Sequence, residues 1–157
     1  TALGVGERAG NAPLDQTLVN LSLMGVIEND LTSLNEYMRK ANEYIGVALP
    51  RNYPVFGEDA FETGTGVHAS AVVKAMTKGD NWLADRVYSG VPAGDFGLKQ
   101  IIRIGHMSGR SNITWWLNQN GYEASDDLVE HMFEVAKSQR SLMSDEEVHA
   151  AIEEFRT

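Results

Sequence analysis

Six stretches of helical periodicity run along this sequence, and four of them stop at a glycine. They begin near residues 13, 33, 67, 111, 126 and 145, and the closing glycines are Gly25, Gly46, Gly79 and Gly121. Apolar residues that recur every three or four positions predict amphipathic helices, and glycine often follows the last helical turn. The sequence therefore predicts a mostly α-helical protein.

The helix starts carry their own signals. Ser33 with Glu36, and Ser144 with Glu147, have the spacing of a capping box, while Ser125 precedes the helix that starts at residue 126. Two short segments are predicted to be extended, namely the apolar residues 1–5 and residues 98–104.

Breaker residues divide the chain into three predicted parts. Residues 1–27 read as strand, glycine-rich turn and helix, which is one β-α unit. Residues 28–80 read as a helical linker subdomain that carries His68. Residues 81–157 read as a second helical subdomain, which opens with a connector rich in glycine and proline.

Charge and composition exclude several classes of function. The formal net charge is −9, which opposes binding to nucleic-acid phosphates and to anionic membrane surfaces. No apolar run approaches the roughly 18 residues of a membrane span. The sequence has no cysteine, which excludes disulfides and thiolate metal sites and fits a cytoplasmic location.

The glycine-rich turn places three polar side chains, Glu7, Arg8 and Asn11, where the backbone can turn tightly. From the residues alone, two interpretations stay open. In the first, the turn approaches a ligand, as loops at the active-site face of a barrel do. In the second, it is a solvated turn with a Glu7–Arg8 ion pair and Asn11 capping the next helix.

His68 lies in the first turn of a predicted helix, after a flexible Gly-Thr-Gly stretch. An imidazole can accept and donate protons near pH 7, so His68 is a candidate general acid or base. The alternatives are a partly buried histidine held by one hydrogen bond, or an exposed residue at a helix start. Residues 108–110 (Ser-Gly-Arg) could bind a phosphate or a carboxylate, or could cap the helix that follows.

A resemblance adds to this interpretation. Residues 6–11 (Gly-Glu-Arg-Ala-Gly-Asn), followed by Ala-Pro-Leu, resemble the last strand and loop of the TIM barrel in the α-isopropylmalate and homocitrate synthases. The resemblance implies that Asn11 is a ligand of a divalent metal (Mg²⁺, Mn²⁺ or Zn²⁺). It also implies that Glu7 lies on the acetyl-CoA side of the pocket, with Gly6 and Gly10 in the loop that approaches the cofactor.

Two further positions match the same family. His68 corresponds to a histidine of the post-barrel linker, which implies a catalytic acid/base acting on the barrel of the partner subunit in a homodimer. Tyr88 corresponds to a tyrosine that supports the same pocket, although a packed aromatic residue is an equal alternative. Residues 105–110 (Gly-His-Met-Ser-Gly-Arg) resemble a family Gly-Lys-His-Ser-Gly-Arg stretch, with His106 and Met107 as departures.

The implied activity is a Claisen-type condensation of acetyl-CoA with an α-keto acid, followed by thioester hydrolysis. The products of 2-isopropylmalate, homocitrate and citramalate synthases all fit, and the sequence does not select the keto acid. Two family signatures, Leu-Arg-Asp-Gly-x-Gln and His-x-His-x-Asp, are absent. We therefore expect the chain to be one inactive piece of a longer enzyme. A non-catalytic helical interaction module, with Trp115, Trp116 and the acidic helices forming a partner surface, is the alternative of another class.

Overall fold

The computed structural model describes all 157 residues as a mostly helical chain, which confirms the predicted class. Seven α-helices and two short strands follow in the order α1 (Leu14–Leu23), α2 (Leu34–Ile45), β1 (Glu62–Thr63), α3 (Gly66–Thr77), α4 (Asn81–Ala84), β2 (Ile101–Ile102), α5 (Arg110–Gln119), α6 (Asp126–Ser138) and α7 (Asp145–Arg156). Short 3-10 turns occur at Ala2–Gly4 and Ala93–Phe96.

The chain forms two compact units. The first unit contains Thr1–Phe61 and Ser89–Lys99, and the second unit contains Glu62–Tyr88 and Gln100–Thr157. These boundaries differ from the predicted ones after residues 27 and 80, because α3 packs against α5 rather than with α2. The assignment of the three predicted parts to different domains stays a prediction.

The predicted strand at residues 1–5 is wrong. The segment forms a 3-10 turn in which Leu3 and Gly4 have φ values of 56° and 70°. No neighbouring strand pairs with it, so its backbone bonds locally: the Thr1 carbonyl accepts from the amides of Gly4 and Leu14, at 3.2 and 2.9 Å. The predicted β-α unit is therefore present only as its loop and its helix.

The first unit packs α1 and α2 against the irregular segment between residues 47 and 61. Asp15, fully buried on α1, accepts hydrogen bonds of 2.9 Å from the Tyr53 hydroxyl and from the Gln16 amide. Burial and the neighbouring Asp15 carboxylate raise the pKa of Tyr53 to about 12. The core consists of Val19, Leu31, Leu34, Met38, Val55, Phe56, Phe61, Ala93 and Phe96.

The second unit combines a small parallel sheet with a helical bundle. Glu62 pairs with Ile101 and Thr63 with Ile102, and α5, α6 and α7 pack in sequence around a large apolar core. Residues 101–102 lie within the segment predicted to be extended. None of the helices has both the length and the apolar character that a membrane crossing needs.

The predicted helix ends are confirmed, but the predicted helix starts are only partly correct. All four closing glycines have positive φ. Ser125 and Ser144 accept from the amides of Leu128 and Glu147, and the Glu147 carboxylate accepts from the Ser144 amide in return. The capping box at Ser33 is wrong: Ser33 has helical φ and ψ, which points its hydroxyl away from the first-turn amides, and it makes no side-chain cap bond.

Candidate functional site

Helices α3 and α5 of the second unit start beside each other, and glycine makes this approach close. The Gly66 amide, the first residue of α3, donates to the Met107 carbonyl at 2.9 Å. A Cβ atom on Gly66 would lie 2.8 Å from the Gly109 nitrogen, so only glycine fits there. The two helix starts therefore form one junction, which we define as residues 62–70 and 103–112.

Ser108 ties this junction together from the inside. Its side chain is buried, its hydroxyl donates to the Gly64 carbonyl at 2.7 Å, and its oxygen accepts from the Gly105 amide at 2.9 Å. The side chain of Asn112 is also buried. Its amide nitrogen donates to the Arg103 carbonyl at 3.0 Å, and its amide oxygen accepts from the Gly109 backbone amide at 3.1 Å. The Ser-Gly-Arg segment thus forms the start of α5 with Gly109 as its N-cap and without a side-chain cap bond, and its binding of a phosphate or carboxylate stays a prediction.

Charged side chains hold the junction from two sides. The Lys137 ammonium on α6 donates to the carbonyls of His106 and Ser108, both at 2.9 Å. Arg103 bonds the Glu62 carboxylate at 2.6 Å and Asp145 at 2.9 Å. Burial alone lowers the pKa of Arg103, but these two carboxylates outweigh burial and raise it.

His68 and Tyr88, two of the predicted site residues, come together in the second unit. Their rings stack with centroids 4.2 Å apart and an interplanar angle of 27°. Both side chains are exposed, and neither forms a hydrogen bond within the chain. The alternative of a partly buried, hydrogen-bonded His68 is therefore wrong, and the alternative of an exposed residue at a helix start agrees with the structure. The position of His68 in the first turn of α3 is confirmed.

An open cavity of about 670 Å³ lies beside this ring pair, and Tyr88 contributes to both. The cavity is bounded by one face of α3 and by the loop that leads into α5. Its volume is within the range of small-molecule sites. His68 does not line the cavity itself and adjoins it through Tyr88. An exposed imidazole without a hydrogen-bond partner is free to exchange protons with a molecule that reaches it.

The remaining predicted site residues lie in the glycine-rich turn of the first unit, which we call the hairpin and define as residues 3–11. The backbone amide of Asn11 donates to the Gly4 carbonyl at 2.8 Å, and a Cβ atom on Gly10 would collide with that carbonyl. A Cβ atom on Gly6 would collide with the Asn11 side chain. Gly6 and Gly10 therefore shape the hairpin, and the structure gives this reason for both glycines.

Polar side chains of the hairpin face solvent. Glu7 and Arg8 form an ion pair at 3.6 Å with both side chains more than four-fifths exposed, as the solvated-turn alternative predicted. Asn11 does not cap α1, whose first turn follows Pro13 without a side-chain cap. The Asn11 side-chain nitrogen points to the Val5 carbonyl at 3.5 Å, which leaves its oxygen without an internal partner.

The hairpin does not make a metal site by itself. No group of three or more His, Cys, Asp or Glu side chains in the chain could hold a metal ion. A divalent cation of the Mg²⁺ type takes about six oxygen ligands, and Asn11 offers one. The residues present therefore do not fit a complete divalent-metal site.

Sequence reasoning missed the residues that support the junction. Lys137 acts on backbone carbonyls, so no motif marks it, and the Glu62–Arg103–Asp145 network joins positions about 40 residues apart. The Ser108-Gly109 pair just before α5 was the one feature of the sequence that pointed to Ser108.

Taken together, a helical segment with an exposed imidazole stacked on a tyrosine beside a ligand-sized cavity defines a candidate proton-transfer site. No protein-family model matches the chain. Individual proteins do match: the homocitrate synthase of Pyrococcus horikoshii is 34% identical over 141 residues, which cover 89% of the chain and 36% of that protein.

Two other relatives support the same grouping. The (R)-citramalate synthase of Aquifex aeolicus is 36% identical over 127 residues (78% of the chain, 22% of that protein). The "Probable 2-isopropylmalate synthase" of Archaeoglobus fulgidus is 33% identical over 140 residues (87% of the chain, 26% of that protein). The chain thus spans about a third or less of these curated relatives. It belongs to the family of 2-isopropylmalate, homocitrate and citramalate synthases.

Proposed function

We propose that this chain is one segment of an acyltransferase that condenses acetyl-CoA with an α-keto acid. The names of its relatives support this reaction class, since all three are synthases of that kind. The observation that carries the proposal within the chain is the His68–Tyr88 stack beside the cavity. Homocitrate and citramalate synthesis are the alternatives to 2-isopropylmalate synthesis within this class.

The reaction requires proton movements that suit His68. A C–H bond of the acetyl methyl group breaks, the resulting enolate forms a C–C bond to the keto carbon, and the keto oxygen gains a proton. Water then cleaves the thioester to give a carboxylate and free CoA. We assign one of the proton transfers to His68, because its ring nitrogens carry no hydrogen bond within the chain.

Tyr88 acts as a positioning residue in this proposal. Its ring covers one face of the imidazole at 4.2 Å, which restricts the orientations that His68 can take. Tyr88 also lines the cavity, so the ring that orients the imidazole is itself part of that surface.

The hairpin residues serve a different part of the enzyme in the proposal. Asn11 would contribute one amide oxygen to a divalent-metal site, Mg²⁺, Mn²⁺ or Zn²⁺, whose other ligands this chain does not supply. A metal held there would supply Lewis acidity toward the keto acid. Glu7 lies on the acetyl-CoA side, with Gly6 and Gly10 shaping the loop. We further propose a TIM-barrel parent that forms a homodimer, in which His68 serves the partner's barrel.

The helical interaction module has less support than the enzyme. Its predicted surface combined two tryptophans with the acidic helices, but Trp116 is buried in the core of the second unit, and Trp115 packs against a neighbouring apolar cluster. Trp116 is therefore not available to a partner, and Trp115 is partly buried.

The test is an activity assay on the full-length enzyme that contains this chain. Thiol release from acetyl-CoA is followed with 2-oxoisovalerate, 2-oxoglutarate, pyruvate and oxaloacetate, for the native protein and for His68→Ala. We expect one keto acid to be preferred and kcat to fall by about 10²- to 10⁴-fold in the variant, the usual contribution of a general acid or base.

Matched variants separate catalysis from folding. His106→Ala removes another exposed histidine, whose side chain makes no contact with the cavity, and we expect native activity. Tyr88→Phe keeps the stacked ring and should retain most activity, whereas Tyr88→Ala should lower kcat and broaden the pH profile. Thiol release by His68→Ala at the native rate would contradict the role of His68, and its absence with every keto acid in the native enzyme would contradict the reaction.

A further inference from the structure

The cavity of the second unit differs in charge from the rest of the chain. The sequence has 22 acidic residues and a net charge of −9, yet no Asp or Glu lines this cavity. Its only charged lining residue is Lys74. The full lining consists of Gly66, Val67, Ser70, Ala71, Lys74, Tyr88, Met107, Ser108, Gly109 and Ser111. The cavity is therefore locally basic in an acidic protein.

Hydrogen-bond donors at the cavity are unused within the chain. The Lys74 ammonium pairs with no carboxylate or carbonyl, and the hydroxyls of Ser70 and Ser111 form no bond. Hydroxyls on helices usually bond to a carbonyl of the preceding turn. Thr77 and Ser138 do so here, at 2.8 and 2.7 Å, whereas Ser70 does not, and Ser111 lies in the first turn of α5, which has no preceding turn.

Backbone groups add to the same preference. Both α3 and α5 begin at the cavity. The two helix starts lie so close together that a Cβ atom on Gly66 would clash with the Gly109 backbone. The first-turn amides of a helix have no acceptor within that helix, and the N-terminal end carries partial positive charge. Two helix starts, one ammonium and two hydroxyls therefore border one space, and of the α3 amides the first, that of Gly66, already donates to the Met107 carbonyl.

We propose that this cavity binds a phosphate group, with Lys74 as the charged donor and Ser70 and Ser111 as hydroxyl donors. The volume of about 670 Å³ exceeds that of a phosphate ion and leaves room for an organic part. The exposed side chains of Val67, Met107 and Tyr88 supply an apolar rim for that part. The phosphate site follows from this chain alone; naming the phosphates of acetyl-CoA as its source rests on the proposed function.

Calorimetric titration of the full-length enzyme tests the site, without keto acid and without turnover. Three probes are used: inorganic phosphate, adenosine 3′,5′-bisphosphate, which is the phosphate-bearing end of CoA, and pantetheine, which has no phosphate. We expect Lys74→Gln to weaken binding of a phosphate probe by about tenfold or more and Ser111→Ala by a few-fold. Lys78→Gln, at the end of the same helix and outside the cavity, should bind as the native enzyme does.

The outcomes are distinct from those of the activity assay. Stronger binding of the bisphosphate than of inorganic phosphate, lost in Lys74→Gln, supports the site with CoA as the source. The same dependence on Lys74 for inorganic phosphate alone supports the site with free phosphate as the source. The proposal is overturned if neither probe binds, if Lys74→Gln binds both with native affinity, or if only pantetheine binding depends on Lys74. Unchanged thermal unfolding of each variant checks that the fold is retained.

Discussion

The glycine-rich hairpin and the α3–α5 junction carry the two groups of predicted site residues, and they are built in opposite ways. In the hairpin, Leu3 and Arg8 have positive φ values of 56° and 60°, and the polar side chains face solvent. In the junction, no non-glycine residue has positive φ, and buried Ser108 and Asn112 bond the segments to one another. The backbone of the junction is therefore unstrained and hydrogen-bonded, whereas the backbone of the hairpin is strained.

This difference shows which of the site residues implied by the family resemblance find their surroundings within this chain. His68 and Tyr88 lie in the second unit, where the chain supplies their surroundings, and they form a contacting pair. Asn11 lies on a strained loop and offers one oxygen without companions. Strain of this kind, about 1–3 kcal/mol per residue, persists where surrounding structure or function maintains it.

Metal binding gives the largest expected contrast. The 157-residue chain alone should show no micromolar affinity for Mn²⁺ in a calorimetric titration, and no thiol release from acetyl-CoA, because one amide ligand cannot hold the cation. The full-length enzyme, titrated in parallel, should bind Mn²⁺, and Asn11→Ala should weaken that binding. Micromolar binding by the chain alone would show that the hairpin is a more complete site than its geometry indicates.

Ion pairs give the next contrast, between the buried Glu62–Arg103 pair of the junction and the exposed Glu7–Arg8 pair of the hairpin. The Glu62 carboxylate is 6% exposed and Arg103 is 26% exposed, so Arg103→Met leaves a buried charge without its partner. We expect a loss of about 3 kcal/mol in the free energy of unfolding, measured by urea denaturation at pH 7. Arg8→Met breaks the hairpin pair, whose side chains are 85% and 84% exposed, and should change stability by less than about 0.5 kcal/mol. Equal effects would remove the distinction between the regions.

Regular structure was the part most accessible from the sequence. Glycines closed helices as expected, and His68 fell in the first turn of α3, because helix periodicity and helix ends depend on neighbouring residues. The family motif around residues 6–11 also identified the hairpin. These features are local, and local patterns are visible in one sequence.

The supports of the candidate site were not accessible in the same way. The parallel pairing of Glu62 with Ile101 spans 39 residues, and Lys137 reaches carbonyls of residues 106 and 108. Such contacts are set by tertiary packing, and two-residue strands have too little pattern to predict them. The strand at residues 1–5 failed for a related reason, since a strand needs a partner that the pattern cannot specify.

Two serines that the sequence presents as equivalent give the smallest expected effect and the sharpest contrast. Ser33 and Ser144 each precede a glutamate by three residues, but only Ser144 exchanges both capping bonds, at 3.2 and 2.7 Å. Ser144→Ala should therefore lower the free energy of unfolding by about 1 kcal/mol. Ser33→Ala removes no cap bond, and Glu36 pairs with Lys40 instead, so a change below about 0.5 kcal/mol is expected. If Ser33→Ala lowered the free energy of unfolding by a similar amount in urea denaturation, Ser33 would cap α2 in solution. The N-terminus of α2 would then be as regular as that of α7.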